Sequence, residues 1–164
     1  MTEIAREDYR DAMARLGAAV SIVTTDGPAG RAGFTASAVC SVTDDPPTLL
    51  VCMNRESSAY ASVAGNKVLC VNVLSAQQER LSQLFGGKVP AAERFAAAAW
   101  STLETGAPVL ADCAVAFDCQ VADVTTVGTH DVLFCRVVAL RSSGLTENLI
   151  YLGRAYHSVR ARCS

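Results

Sequence analysis

The sequence predicts a mainly β protein in which five to seven antiparallel strands close into a Greek-key barrel, with two or three helices at its periphery. Apolar, β-branched runs of strand length recur along the 164 residues. Most of these runs follow one another through short turns, which favours antiparallel pairing. There is no strand–helix–strand alternation and no Gly-x-Gly-x-x-Gly motif opens a helix, so a Rossmann nucleotide site is not supported.

The N-terminal half of the chain is predicted to begin with a helix and to continue as strands. Tyr9, Met13 and Leu16 recur at helical spacing and Gly17 supplies a stop, which indicates a helix over residues 7–17. Three β-branched or apolar runs then predict strands, separated by turn clusters rich in Gly, Pro and Asp: residues 20–25, 31–42 and 48–53. The first two of these strands are expected to pair as a hairpin.

The C-terminal half is predicted to alternate short helices with longer strands. Residues 57–64 indicate a short helix capped by Ser57 or Ser58, and a second amphipathic helix starts near residues 75–78 and ends at Gly86-Gly87. The Ala-rich segment 90–100 is expected to be partly helical. The remaining predicted strands are residues 67–74, 114–125, 131–140 and 149–152, and a polar tail follows them.

Composition bounds the class of protein. Of all residues, 51% are apolar and 18% are charged, and the formal net charge is -2. This chain is too hydrophobic for disorder, and no basic patch with interleaved aromatic side chains indicates a nucleic-acid partner. A single domain over residues 1–164 is expected, without repeats or a low-complexity linker. The high apolar fraction favours some burial between subunits.

Targeting signals are not evident in the sequence. The N-terminal segment Met1-Thr2-Glu3-Ile4-Ala5-Arg6-Glu7-Asp8 is charged and lacks the apolar stretch of a signal peptide. No uninterrupted apolar run reaches transmembrane length, so no membrane partner is expected. A cytoplasmic location is therefore predicted.

The cysteines and histidines give no sign of a metal site. The chain has 7 cysteines and none forms a Cys-x-x-Cys pair. Five lie in strand-like apolar runs and are predicted to be small buried hydrophobes in a reducing compartment, whereas Cys163 is the candidate for an exposed thiol. Neither His130 nor His157 has a second histidine or a carboxylate at ligand spacing, so no bound metal is expected.

The segment Gly33-Phe34-Thr35-Ala36-Ser37-Ala38 carries small and hydroxyl side chains where a strand normally carries bulk. Such a segment lets a flat ligand approach the backbone closely, with N–H groups and hydroxyls available to a heterocycle edge. The alternative is a tightly packed strand crossing inside a barrel. Composition alone favours the packing explanation.

Two further segments carry candidate chemistry. Asn54-Arg55-Glu56-Ser57-Ser58 follows a buried strand and makes a reasonable phosphate cradle, although an ordinary helix cap explains it equally well. In Gly128-Thr129-His130-Asp131 the histidine is expected in a turn, where it can donate a hydrogen bond beside a ligand pocket. A solvated loop histidine is the alternative that the residues alone favour.

Taken together, these segments resemble the short-chain flavin reductases of the flavin reductase-like domain family. The likeness is nearest to the FMN reductases of pyrimidine-degradation systems and the small reductases of two-component aromatic hydroxylases, and it covers nearly the whole chain. The residues that carry it are Gly33-Phe34-Thr35-Ala36-Ser37-Ala38, Pro46-Pro47-Thr48-Leu49-Leu50-Val51-Cys52, Asn54-Arg55 with Ser57-Ser58, Leu84-Phe85-Gly86-Gly87, and Gly128-Thr129-His130-Asp131.

The resemblance implies a split β-barrel of the FMN-binding type, a homodimer and a flavin near the subunit interface. Thr35 to Ala38 would face the isoalloxazine ring, Ser57 and Ser58 would hold the phosphate, and His130 with Tyr156 would place the nicotinamide. The implied flavin contacts are Thr35, Ala36, Ser37, Ala38, Cys52, Asn54, Arg55, Ser57, Ser58, Phe85 and Gly86. The family often has Gly-Asp-His where this chain has Gly128-Thr129-His130, with its aspartate displaced to Asp131.

The implied activity is hydride transfer from NADH or NADPH to FMN, or to FAD, with no catalytic side chain required because the cofactors do the bond chemistry. Reduced flavin would then supply a separate monooxygenase that binds only transiently. Two alternatives remain open. One is a flavoprotein that reduces another acceptor, such as a cobalt corrinoid, and the other is a non-catalytic flavin-binding module.

Overall fold

The computed structural model describes residues 3–161, and these contain four α-helices and one short 3-10 turn. The helices are α1 (Arg6–Met13), α2 (Tyr60–Asn66), α3 (Glu79–Gly86) and α4 (Ala91–Ala96), and the 3-10 turn (Ala76–Gln78) leads into α3. No helix of the described residues is long and apolar enough to cross a membrane. The first helix is shorter than the predicted residues 7–17, and residues 90–100 are helical only over α4.

The strands are more numerous than the sequence predicted. They are β1 (Ala18–Ala19), β2 (Ser21–Thr25), β3 (Ala32–Ala36), β4 (Val39–Asp44), β5 (Pro47–Asn54), β6 (Val68–Val73), β7 (Trp100–Ser101), β8 (Val109–Leu110), β9 (Val115–Val127), β10 (His130–Ser142), β11 (Glu147–Leu152) and β12 (Ala155–Arg160). The predicted polar tail is therefore β12, which pairs with β11. The sequence of β12 shows no alternation of apolar and polar residues that would predict a strand, because five of its six residues are exposed.

One antiparallel sheet of seven strands organises the molecule, in the order β3-β2-β6-β9-β10-β5-β4. The expected closed barrel is wrong, because the two edge strands β3 and β4 do not pair with each other. They are nevertheless consecutive in the chain, joined only by Ser37 and Ala38. The backbone N–H of Cys52 donates to the carbonyl of Ala38 at 3.0 Å, which ties this connector to β5. The sheet is thus left open at one seam.

The predicted single strand over residues 31–42 is two strands that lie on opposite edges of the sheet. The first, β3, pairs with β2 as the predicted hairpin, with Val23 opposite Phe34. The second, β4, pairs with β5, with Val39 opposite Val51. The connector carries the chain from one edge to the other instead of reversing it, so it needs no turn residues that would mark it in the sequence.

Both faces of the sheet are covered at its second strand, β2. All five residues of β2 are buried. Val23 belongs to the cluster inside the curled sheet, with Val51, Leu69 and Leu133. Ile22 faces a second cluster under α3 and α4. Because adjacent residues of a strand point to opposite faces, a strand covered on both sides reads as a continuous apolar run, which is why β2 is readable from the sequence.

Buried polar side chains hold the segment between β7 and β8 on the sheet. Asn72 is fully buried, accepts the backbone N–H of Leu110 at 2.8 Å and donates to the carbonyl of Ile22 at 3.0 Å. Asp118 is fully buried as well and accepts the backbone N–H of Thr105 at 2.8 Å. Paired in this way, these groups avoid the cost of unsatisfied burial, and they keep β8 over the second cluster.

Most described cysteines are buried, as predicted. Cys70, Cys113, Cys119 and Cys135 are buried, whereas Cys52 is half-buried. Burial raises the pKa of the Cys135 thiol to about 12. Cys40 lies in β4 and is exposed, so burial was wrong for that residue: β4 is an edge strand whose residues after Val39 are all exposed. Cys163 lies outside the described residues.

Candidate functional site

A cleft of about 420 Å³ lies at the open seam of the sheet, beside the connector between β3 and β4. The end of β5 and the C-terminal end of α3 form its other walls. Its lining residues are Phe34, Thr35, Ala36, Ser37, Ala38, Cys52, Asn54, Ser57, Ser58, Phe85, Gly86, Gly87, Arg94 and His130. The structure therefore brings together every residue predicted to contact flavin except Arg55. It also brings in His130 but not Tyr156.

The seam side of the cleft offers backbone and hydroxyl groups. Ser37 and Ala38 are exposed, and the Ser37 hydroxyl has no hydrogen-bond partner within residues 3–161. Thr35 is half-buried, and its hydroxyl donates to the carbonyl of Ser82 at 2.6 Å. Because its single proton is used in this bond, the Thr35 hydroxyl can only accept a hydrogen bond from a ligand. This side can meet a flat polar heterocycle with one free hydroxyl and the backbone.

Close packing explains why residue 33 is a glycine. A Cβ built on Gly33 would lie 2.8 Å from Cε1 of Phe85 and 3.2 Å from the carbonyl oxygen of Val23. The Phe85 ring is 1% exposed and packs at 5.3 Å on Phe95 and at 5.7 Å on Trp100, between ring centroids. The packing explanation thus holds for Gly33, while the segment from Ser37 onward is open to a ligand.

The serine pair lies in the turns before α2. The Ser57 Oγ accepts the backbone N–H of Ala59 at 3.4 Å, and the Ser58 hydroxyl is exposed with no protein partner in the described range. The prediction that one of them caps α2 was wrong, because the helix begins at Tyr60 and Ala59 occupies the cap position. The backbone N–H of Ser57 donates to the carbonyl of Asn54, and that of Tyr60 donates to the carbonyl of Ser57, so residues 54–60 form two consecutive turns.

Arg55 turns away from the cleft. Its Nη2 donates to the carbonyl of Gly128 at 2.6 Å, its Nε lies 3.9 Å from Oδ1 of Asp131, and its backbone N–H donates to the carbonyl of Thr129. These contacts hold the turn between β9 and β10 against the end of β5. Arg55 therefore fixes the position of the neighbouring His130.

His130 is the first residue of β10 and stands opposite Asn54 on β5. Its ring is exposed at the rim of the cleft, with Nδ1 2.9 Å from Oγ1 of Thr129. The displaced Asp131 points to the other face of the sheet, as alternation along a strand requires. The aspartate is therefore absent from the cleft, and the side-chain partner of His130 is the Thr129 hydroxyl.

Asp131 anchors the far side of this corner. It is 4% exposed, and it accepts hydrogen bonds from the Tyr60 hydroxyl at 2.7 Å and from the Thr126 hydroxyl at 2.8 Å. These two bonds, the one from Tyr60 foremost, lower the pKa of Asp131. The same bond raises the pKa of Tyr60. The carboxylate thus joins α2, β9 and β10 beneath His130.

Tyr156 supports the cleft from behind. Its hydroxyl lies 3.0 Å from the Oγ of Ser82, and its ring contacts that of Tyr151 with 5.2 Å between centroids. Ser82 is buried in α3 and receives the Thr35 hydrogen bond on its carbonyl. Tyr156 is therefore two contacts removed from the cleft and does not line it.

Arg94 is a cleft residue that the sequence analysis missed. It is 7% exposed, and its guanidinium donates to the carbonyls of Val89 at 2.6 Å, Gly87 at 2.7 Å, Gly33 at 3.1 Å and Phe85 at 3.3 Å. Within residues 3–161 no carboxylate lies within 4 Å of it. An arginine next to Phe95 in an otherwise Ala-rich segment was the available signal. The cleft wall thus carries a fixed positive charge, which favours an anionic ligand.

With this geometry described, the chain can be compared with known proteins. The model of the flavin reductase like domain matches residues 13–160. The chain therefore belongs to the flavin reductase-like domain family. It is similar to proteins named FMN reductase (NADH) RutF. The protein from Bradyrhizobium diazoefficiens is 77% identical to this chain, and the match covers 97% of this chain and 88% of that protein. The protein from Ancylobacter novellus is 65% identical, and the match covers 95% of this chain and 86% of that protein.

Solved structures show the same fold. A protein of Haemophilus somnus 129PT described as a flavin reductase has a TM-score of 0.93 and 49% identity, covering 95% of this chain and 100% of that one. Nitrilotriacetate monooxygenase component B from Mycobacterium thermoresistibile has a TM-score of 0.88 and 25% identity, covering 94% and 87%. The mainly β architecture predicted from the sequence is confirmed.

The Asp131 contacts predict an acid-sensitive contribution to stability. Because the folded pKa of Asp131 lies below its value of 3.8 in a model compound, the ionised group stabilises the fold above that pH. The contribution is lost as the pH falls through the folded pKa. We expect Asp131→Asn to lower the free energy of unfolding at neutral pH and to flatten its fall below about pH 4.

Urea denaturation followed by circular dichroism at several pH values measures both effects. Asp8→Asn on the exposed face of α1 serves as the matched control. If the free energy of unfolding fell as steeply below about pH 4 in Asp131→Asn as in the unmodified protein, Asp131 would not be the source of the acid sensitivity.

Proposed function

We propose that this chain is an NADH-dependent FMN reductase that supplies reduced FMN to a separate monooxygenase. The observation that carries the proposal is the cleft at the seam, where a flat backbone surface and free hydroxyls lie beside the cationic Arg94. The relative at 77% identity, named an FMN reductase that uses NADH, supports the choice of both nucleotides. The relationship to a monooxygenase component supports the kind of partner.

The lining groups suit FMN from one end to the other. The backbone of residues 35–38 and the Ser37 hydroxyl would meet the isoalloxazine ring and its polar edge. Ser57 and Ser58 would bind the phosphate, whose negative charge Arg94 attracts across the cleft wall. A cavity of about 420 Å³ is within the usual range for such ligands, roughly 300 to 1,000 Å³.

The reaction needs positioning more than side-chain chemistry. A flavin held in the cleft would supply the hydride acceptor and reduced nicotinamide the donor, so the task of the protein is to orient the two rings for contact. His130 stands at the open rim, where its second ring nitrogen is free to meet the nicotinamide carboxamide. The Thr129 hydroxyl and the Arg55 contacts hold this imidazole in place. Tyr156 acts as a positioning residue through Ser82, and no protein nucleophile is required.

Release of the reduced flavin follows from the exposure of the cleft. Ser37 and Ala38 on one side and Gly86 and Gly87 on the other are exposed, so no folded segment among residues 3–161 of the same chain covers the way out of the cleft. Reduced flavin would diffuse to a monooxygenase that binds only transiently. The cytoplasmic location expected from the sequence stays a prediction.

We also propose a homodimer and an open, split form of the β-barrel. α1 has no buried residue, and Tyr9, Met13 and Leu16 are 58%, 43% and 65% exposed. Met13 and Leu16 border a cavity of about 870 Å³ that shares Ser37, Ala38 and Cys52 with the cleft. A second copy that covers this apolar surface would bring the subunit interface next to the flavin.

The function is tested by steady-state kinetics. We expect the purified protein to oxidise NADH slowly by itself and many times faster when FMN is added, with NADPH a poorer donor. Absorbance at the nicotinamide band follows the reaction, and FAD and riboflavin are compared with FMN. Flavin binding without nicotinamide oxidation would favour the non-catalytic alternative, and tightly retained flavin with little turnover of free flavin would favour another acceptor.

Filling the seam should block flavin. Ser37→Leu places a larger apolar side chain on the ring side of the cleft, and we expect about tenfold weaker FMN binding, as about 1.4 kcal/mol of lost fit implies. Quenching of FMN fluorescence measures the affinity. Ser41→Leu puts the same side chain on exposed β4 outside the cleft and should leave the affinity unchanged. Equal affinity in both variants would remove Ser37 from the site.

The dimer is tested by sedimentation equilibrium. We expect a mass of twice 17.2 kDa for the unmodified chain. Met13→Glu places a charge on the exposed apolar side of α1 and should shift the equilibrium to the monomer, whereas Glu7→Gln on the same helix should not. A monomer at all concentrations would contradict the proposed assembly.

A further inference from the structure

The hairpin formed by β9 and β10 carries His130 at its tip, and this tip has few neighbours. After Val121, β9 pairs with β10 alone within residues 3–161. All residues from 122 to 130 are exposed. His130 forms the last pair between β10 and β5, opposite Asn54. An exposed hairpin end moves readily unless other contacts hold it. The position of the imidazole therefore depends on the side chains that fasten this tip.

Asp131 fastens the tip to the body of the protein. It follows His130 directly and faces the opposite side of the sheet, where it is 4% exposed. Its Oδ2 accepts the hydroxyl of Tyr60 at 2.7 Å, and Tyr60 is the first residue of α2. Its Oδ1 accepts the hydroxyl of Thr126 at 2.8 Å, from the residue paired with Asp131 on β9. One carboxylate thus ties both strands of the hairpin to a helix.

Arg55 extends the same contacts to the turn before His130. Its Nε lies 3.9 Å from Oδ1 of Asp131, and its Nη2 donates to the carbonyl of Gly128 at 2.6 Å. Gly128 has a φ of +57°, as the first residue of a tight two-residue hairpin turn often does. The carboxylate therefore holds His130 by two routes, directly along β10 and through the guanidinium that fixes the turn.

Neither Asp131 nor Tyr60 lines the cleft. Both line a different cavity of about 360 Å³, between α2 and the end of β9, which shares no lining residue with the cleft. His130 is the cleft residue that adjoins Asp131. An influence of the Tyr60–Asp131 pair on a bound nucleotide is therefore indirect, and His130 is its shortest path.

We propose that Asp131 and Tyr60 are positioning residues for the nicotinamide, and that they act by holding His130 at the rim of the cleft from the opposite face of the sheet. The inference rests on the proposed function, in which His130 meets the nicotinamide carboxamide. The connector between β3 and β4 and the serine pair bind the flavin in that proposal. Loss of the Tyr60 hydroxyl therefore weakens the use of NADH and leaves FMN binding intact.

The experiment compares Tyr60→Phe with the control Ser62→Ala. Tyr60→Phe removes the hydroxyl and keeps the ring that packs on the core. Ser62 lies on the same helix, and its hydroxyl donates to the carbonyl of Ala29 at 3.0 Å, so its loss loosens α2 without touching Asp131. We expect Tyr60→Phe to raise the KM for NADH about three- to tenfold, since a misplacement of about 1 Å costs roughly a hundredfold and the hairpin stays paired with β5.

Two further measurements accompany this comparison. In Tyr60→Phe, kcat and the dissociation constant of FMN should stay unchanged, which is the pattern of lost substrate binding. Ser62→Ala should leave all three constants unchanged. An unchanged KM for NADH in Tyr60→Phe, or an equal loss of FMN affinity, would overturn the inference, because the pair would then serve only the stability of the fold.

A double-mutant cycle with His130→Ala tests the path. If Tyr60 acts through the imidazole, Tyr60→Phe should raise the KM for NADH in the unmodified chain and add nothing in the His130→Ala background. The same fold-rise in both backgrounds would overturn the inference. Absence of FMN-dependent NADH oxidation by the unmodified chain would instead refute the proposed function itself, and the inference with it.

Discussion

The cleft depends on one buried cation that is held by carbonyl groups. The Arg94 guanidinium gathers carbonyls from β3, from the end of α3 and from the segment before α4, and thereby fixes three separate parts of the cleft wall. Removing a charge from water is costly, and carbonyl dipoles offset that cost without cancelling the charge, as a carboxylate would. A single side chain thus sets both the shape and the electrostatic sign of this wall of the cleft.

The open seam is the second constraint, and the packing of α3 against β3 defines one side of it. Gly33 lets the Phe85 ring press against β3, so that α3 lies close to the edge of the sheet. Three residues later the same strand ends, and the connector crosses to β4, tied to β5 by the backbone hydrogen bond between Cys52 and Ala38. Unpaired edges normally invite association with other strands. Here the edge groups lie in a curled sheet with a cavity between them, so the place where the ladder stops is the place where a ligand can bond to backbone.

The sequence revealed the covered strands and most of the cleft, and its failures have physical causes. β2 and β6 were readable because both of their faces are buried, whereas β12 was missed because its residues face solvent. The join at Ser37 was invisible because the connector contains no turn residue. Closure of the barrel could not be read, since it depends on whether two distant edges pair. Arg94 was overlooked because an arginine in a short helix normally points to water.

The burial of the thiols has a consequence for oxidative damage. Reduced flavin that escapes into solution reacts with oxygen and gives hydrogen peroxide, which attacks thiolates. Cys70, Cys119 and Cys135 are buried, and burial raises the pKa of each, so almost no thiolate forms at these positions. Cys52 is the half-buried exception, and it sits in the cleft where a bound flavin would cover it. Apart from the exposed Cys40 on β4, the fold thus keeps the described thiols away from the by-product of the chemistry proposed for it.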